Sequence, residues 1–258
     1  MKKTILMILL IFIAGLAAAH AAQSRESLTL AAADVKALAI DCGAGYLKVQ
    51  GVEGLAQIEV TAVVDVRGIA DGELAAFKKE YIKLTLKNND GQAELIATVN
   101  SDAILDKLFS GNPEVRIDLD IRLPRRLALD IDDGSGDMDI HDCDGSVKIN
   151  DGSGDIRLAR FKGSVDIEDG SGEIDLAQIN GAVRIDDGSG DIVLADAGGD
   201  VEIDDGSGQI SLRHILGSVT IDDGSGDIVI DGVEKDVTID EAGSGGVEIS
   251  NVKGKVRK

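Results

Sequence analysis

From Leu127 onward, apolar residues come in pairs separated by one polar position, and the pairs recur every nine residues. Val147 and Ile149 form one pair, Ile156 and Leu158 the next, Val165 and Ile167 the third. Alternation of period two, rich in Ile and Val, predicts short strands with one buried face. Two pair types alternate, so each recurs at 18 residues. Ile131, Ile149, Ile167, Ile185, Ile203, Ile221 and Ile239 share one phase. Met138, Ile156, Ile174, Ile192, Ile210 and Ile228 share another. Between the pairs lie Asp-Gly-Ser-Gly corners beginning at Asp133, Asp151, Asp169, Asp187, Asp205 and Asp223.

A fixed period governs the whole fold before any local motif does. A strand this short cannot bury its apolar face alone, but stacked identical coils can. The pattern therefore predicts an all-β protein: a right-handed parallel β-solenoid with 18-residue coils, each residue about 4.8 Å from its equivalent in the next coil. The competing arrangement is a meander of hairpins, with Asp-Gly-Ser-Gly as the hairpin loop.

The first half departs from the period. Ile40–Gly51 repeats the coil pattern, with Gly43 and Gly45 on the corner glycines, Leu47 and Val49 inward, and Ile58 expected in the phase of Ile203. Residues 57–66, 81–87, 93–99 and 115–123 alternate like longer strands, and 71–79 reads as a short helix with Asp71 at its N-cap. Residues 101–113 read as a loop. Leu123-Pro124-Arg125-Arg126 closes this β-rich insertion. Near the end, Ala242 adds one residue before Gly243-Ser244-Gly245 and slips the phase, and the basic tail KGKVRK is suited to capping an open edge. The expected organisation is thus a leader at 1–21, an N-terminal β-rich region at 22–126 and the regular solenoid at 127–258.

The leader carries Lys2 and Lys3, an apolar run from Ile5 to Leu16 and a small-x-small site at Ala19-His20-Ala21. This is the layout of a cleaved secretory signal, so export to the periplasm, cell surface or medium of a bacterium is expected, with no membrane span afterwards. The formal charge is −21 over 258 residues, and loss of Lys2 and Lys3 with residues 1–21 makes it −23. A chain this acidic disfavours nucleic acid as a partner. Acidic outward positions also keep a sheet-rich surface from self-pairing. Aromatic residues are 2% of the chain, which suits a thin core with little room for rings. Cys42 and Cys143 leave a disulfide open in an exported protein, although Cys143 holds a phase occupied elsewhere by Phe161, Ile179 and Ile215.

The chemistry resides in the corners. Stacked carboxylates about 4.8 Å apart repel by roughly 3.5 kcal/mol at an effective dielectric of about 20, so something must offset them. An Asx-turn does so by letting each aspartate accept from an amide two residues on. Calcium is the alternative, with candidate ligands Asp133, Asp151, Asp187, Asp205 and Asp223 in one phase and Asp155, Asp191 and Asp227 in another. The aspartate follows the last glycine directly, as in Gly190-Asp191, so the Gly-Gly-x-Gly-x-Asp motif of calcium-binding β-rolls is not matched. The glycine loop lacks the lysine of a phosphate loop and is not a Gly-x-Ser-x-Gly nucleophile elbow. His141 and His214 occur once each in different phases and are expected to face solvent. No carboxylate pair stands out from the uniform repeat as a catalytic pair.

The leader, the diverged first coil, the longer strands, the Leu-Pro-Arg-Arg junction and the successive Gly-Ser-Gly-Asp-Ile coils, in that order, resemble the bacterial adhesin family called domain of unknown function 4097. The resemblance runs from about Ala39 to the end. It implies an exported β-solenoid linked to the cell envelope and supplies no catalytic residues. The expected function is a noncatalytic structural or adhesion module with no cofactor. Its partner would be an unidentified envelope or cell-surface component, and end-to-end self-association is a further expectation. A calcium-binding scaffold is the alternative, and a polysaccharide-active enzyme ranks third.

Overall fold

The computed structural model describes residues 21–100 and 113–258. Residues 1–20 of the leader and 101–112 of the expected loop lie outside the described residues. Two 11-stranded sheets face each other and form a β-solenoid of about seven turns with ~18-residue coils. The N-terminal strands are β1 (Ala22–Ala31), β2 (Ala37–Ala44), β3 (Leu47–Val52), β4 (Gln57–Arg67), β5 (Ile82–Asn89), β6 (Gln92–Val99) and β7 (Glu114–Pro124), with the helix α1 (Leu74–Tyr81) before β5.

The regular array follows. One sheet receives β9 (Met138–His141), β11 (Ile156–Phe161), β13 (Ile174–Ile179), β15 (Ile192–Ala197), β17 (Ile210–Ile215), β19 (Ile228–Val233) and β21 (Val247–Val252). The other receives β8 (Ala128–Ser135), β10 (Val147–Asp151), β12 (Val165–Asp169), β14 (Val183–Asp187), β16 (Val201–Asp205), β18 (Val219–Asp223), β20 (Val237–Ala242) and β22 (Val256–Arg257).

Each array strand pairs in parallel with its equivalent one coil away. Ile149 meets Ile131 and Ile167, and Ile192 meets Ile174 and Ile210. This ladder excludes the hairpin meander, which would pair consecutive strands antiparallel. Ile149, Ile167, Ile185, Ile203 and Ile221 are all at most 1% exposed. Burying each such side chain contributes about 1.5–3 kcal/mol, which is why two pairs per coil suffice when coils stack.

The second corner glycine sets the bend. Gly190 has φ +152°, and a Cβ built there would lie 1.7 Å from the carbonyl oxygen of Gly172 below. Only glycine lets successive corners approach this closely.

The diverged first coil takes its expected place: Ile40 pairs with Ile131, Leu47 with Met138 and Val49 with Ile140. Ile58 does not continue it. It lies in β4, which runs antiparallel to both β1 and β7. Strand β1 was not anticipated, because the export reading ended at residue 21 and the coil reading began at Ile40. The helix is preceded by a 3-10 turn at Asp71–Glu73, and Glu73 rather than Asp71 closes the start, accepting from the Ala70 amide at 3.1 Å. Glutamate reaches back three residues, which the shorter Asp71 at the first position cannot do.

The junction arginines tie the insertion down. Arg126 donates to the carbonyls of Val35 at 2.6 Å and Ala32 at 2.5 Å, and Arg125 pairs with Asp144 at 3.4 Å. Near the end the phase does slip, but at Asp240. Ile221 pairs with Ile239 and Asp222 with Glu241, so Ala242 occupies the corner-aspartate position instead of being the inserted residue. Beyond it, Lys253 pairs with Glu234 at 2.7 Å and Arg257 with Asp236 at 3.5 Å.

Candidate functional site

The strongest concentration of chemical groups is the corner-aspartate column. In Val147-Lys148-Ile149-Asn150-Asp151, alternation places Asp151 on the same inward face as Val147 and Ile149. The same parity holds in every coil. Asp133, Asp151, Asp169, Asp187, Asp205 and Asp223 are between 0% and 6% exposed and stand in register. Cys42 precedes them opposite Asp133, and Ala242 follows them opposite Asp223.

In five of the six repeats, all but that of Asp133, one oxygen of the aspartate closes its own corner. Asp151 accepts from the Ser153 amide at 3.2 Å, Asp187 from Ser189 at 3.0 Å and Asp223 from Ser225 at 2.9 Å. These are the expected Asx-turns. The second oxygen has no partner: Oδ2 of Asp133, Asp151, Asp169, Asp187, Asp205 and Asp223 is buried without a hydrogen bond. A buried carboxylate in that condition favours its neutral form. Desolvation pushes Asp151 up to about 7, with the neighbouring Asp133 and Asp169 adding to it. Asp187 and Asp205 are pushed up to about 6, again mainly by burial and then by stacked or adjacent carboxylates, against the Ser amides. Asp133 reaches about 6, held back by the Cys42 thiol and the corner amides.

The second calcium-candidate phase lies elsewhere. Asp155, Asp191 and Asp227 sit at the surface, and each accepts from the amide of the next coil: Glu173 at 3.2 Å, Gln209 at 2.9 Å and Gly246 at 2.8 Å. Asp155 in turn donates its amide to Asp137 at 3.1 Å. These side chains staple one coil to the next. The two candidate phases are thus separated, one inward and one outward. Among the described residues no group of three or more His, Cys, Asp or Glu is placed to hold a metal ion. The sequence reading recognised the corner aspartates but not that they point inward. The signal was available in the two-residue spacing from Ile149 to Asp151.

The remaining candidates are dispersed. Cys42 and Cys143 are both free and buried. Their coils are adjacent, because β2 lies directly against β8; the thiols stay apart because they occupy different phases. Burial raises both, Cys143 to about 12. His214 is exposed as expected, whereas His141 is half-buried and bonds Asp142 at 2.7 Å. Asp142 also takes a two-pronged contact from Arg160 at 2.7 and 3.0 Å, which holds its carboxyl well below the usual range. No helix among the described residues is long and apolar enough to cross a membrane.

Comparison with known proteins adds the family. No curated protein matches the chain. Three solved structures are similar to it at low identity. A "putative cell adhesion protein" from Clostridium sporogenes has 14% identity and TM-score 0.36, over 91% of this chain and 98% of that one. A "putative adhesin" from Bacteroides fragilis has 13% identity and TM-score 0.39, over 91% and 96%. A "putative lipid binding protein" from Parabacteroides distasonis has 10% identity and TM-score 0.46, over 92% and 96%. The model of the Toastrack family, DUF4097, matches residues 71–198, which run from the helix through four coils of the array. Through these residues the chain belongs to the Toastrack DUF4097 family.

Proposed function

We propose that this protein is an exported, noncatalytic β-solenoid that serves as a structural or adhesion module of the bacterial cell envelope. The observation that carries the reading is the in-register repetition of outward side chains. Asp186, Asp204 and Asp222 form one exposed row, and Arg184 sits between Asp166 and Glu202, 2.5 Å from the latter. Such rows offer many equivalent weak contacts along one rigid face. Linked weak contacts can exceed single-site affinity by factors of about 10²–10⁴. The predominance of acid on those rows favours cationic or hydroxyl-rich surface components over nucleic acid. The family membership and the secretory layout of the first 21 residues support the same reading.

Beads coated with the protein should retain bacterial envelope fragments, and replacing Asp186, Asp204 and Asp222 together with lysine should reduce that retention. Equal retention by both forms would count against the outward rows as the binding face. Mass spectrometry of the protein recovered from the periplasm or medium should place its first residue at Ala22. Retention of the full chain in the cytoplasm would overturn export. Release of reducing ends from envelope or plant polysaccharides would overturn the noncatalytic assignment.

A further inference from the structure

The six corner aspartates form a column closed at one end by the Cys42 thiol and at the other by Ala242. The titratable groups acting on them are all acidic or neutral. They are the column neighbours themselves, Asp132, Asp186 and Asp222 beside them on their own strands, Asp191 from the far side of the corner, and Cys42 on β2. The opposite sheet contributes apolar inward residues such as Ile156, Leu158 and Phe161. Six ionised carboxylates about 4.8 Å apart in such surroundings would each leave one oxygen bare and repel both neighbours.

We propose that this column is a proton-binding ladder, in which roughly every second aspartate stays protonated in mildly acidic solution, where free carboxylates are ionised, and donates through its unpartnered Oδ2 to the carboxylate of the next coil. The ladder matches donors to acceptors without any further residue: a protonated carboxyl has one O–H, and each ionised neighbour has one bare oxygen. The Asx-turns are left untouched, because they use only Oδ1. The buried Cys42 thiol stands opposite Asp133 and ends the column as a neutral group.

A divalent cation is the less suitable occupant. Calcium takes six to eight oxygens. The corner carbonyls of Asp133, Asp151, Ser153 and Ser171 each already accept one amide, from Gly152, Gly170, Gly136 and Gly154 respectively. Each gap between coils therefore offers little beyond two carboxylate oxygens.

The test uses the full mature chain. Infrared spectra at pH 6 should contain the C=O band of protonated carboxyl groups in the folded protein. In a variant combining Asp151→Asn, Asp187→Asn and Asp223→Asn that band should be lost, because each amide takes over the donor role of a protonated rung. Potentiometric titration of the folded wild type should show proton release between about pH 5 and 8 that the variant lacks. If the triple variant does not fold, the wild-type spectrum and the single variant Asp187→Asn decide instead, with a partial loss of the band expected. A spectrum with no protonated carboxyl at pH 6 would overturn the proposal, since an ionised column must then be served by water or ions. Calcium binding that raises the melting temperature of the wild type at pH 7 would equally overturn it in favour of a cation column.

Discussion

Asp151 directs one carboxylate oxygen at the amide of Ser153, 3.2 Å away, and buries the other where no partner meets it. The first contact secures the bend. The second makes stability depend on protonation. Asp151 binds its proton up to about pH 7 when folded, against an ordinary value of 3.8. A raised folded value means that the stabilising contribution is complete below the unfolded value and is lost as pH rises through the folded one. Asp142 works in the opposite direction: its value is depressed by Arg160, so its contribution is lost as pH falls below the ordinary carboxylate range. The melting temperature should therefore peak at about pH 4–5 and fall steadily toward pH 8. Circular dichroism melts across that range give the profile; a maximum at pH 7 or above would contradict it.

Inward and outward phases should differ sharply in tolerance. Ile185 is 1% exposed between Ile167 and Ile203, so Ile185→Asp places an unpaired charge between apolar layers. The expected cost is at least about 3 kcal/mol. Val193 lies on the outward phase between Asp175 and Ser211, and Val193→Ser should change stability by less than about 0.5 kcal/mol. Denaturant midpoints of the two variants test the phase assignment, and similar midpoints would refute it.

Two glycines of the corner phases should respond differently to alanine. At Gly190 a Cβ would collide with the Gly172 carbonyl at 1.7 Å and the backbone is in the positive-φ region, so Gly190→Ala should cost about 2 kcal/mol or more. At Gly134 the nearest atom to a Cβ would be the Gly43 Cα, 3.6 Å away. Gly134→Ala should be nearly neutral, as a pair of thermal melts would reveal.

The junction arginine acts as a fork. Arg126 reaches two main-chain carbonyls, Val35 and Ala32, with separate guanidinium nitrogens. A lysine offers a single compact ammonium and cannot reproduce that geometry. Arg126→Lys should therefore lose on the order of 1–2 kcal/mol. Hydrogen exchange at the β1–β2 connection should quicken in the variant. Unchanged exchange there would remove the clamp from the account.

Both cysteines should be silent in the folded state. Burial keeps Cys42 and Cys143 as neutral thiols, and thiolate is the reactive form. A thiol reagent should label neither until denaturant is added, and then should label both. Labelling of only the reduced, unfolded chain would instead reveal a disulfide.

The column residue Asp187 shows how much of the candidate site was legible beforehand. Its repetition, its Asx-turn with Ser189 and the crowding of like charges all follow from the Asp-Gly-Ser-Gly spacing. Its burial also follows, once the parity of Val183, Ile185 and Asp187 is read to the end of the strand. The empty Oδ2 does not follow, because it depends on what the opposite sheet supplies across the core. Ile58 marks the limit in the fold. Strand β4 alternates as well for an antiparallel partner as for a parallel one, and nothing local selects β1 and β7 as its neighbours.

From sequence alone came the coil length, the in-register columns from Ile131 to Ile239, the first coil at Ile40 and the acidic outer face, because a strict period acts at every copy and stacking satisfies all copies at once. Tertiary structure decided the antiparallel start, the place of the Asp240 bulge, the separation of the two acidic phases and the isolation of six carboxylate oxygens. Those depend on contacts between segments far apart in the chain, where pairing and desolvation are set by whichever surface happens to lie opposite, and a local pattern carries no record of it.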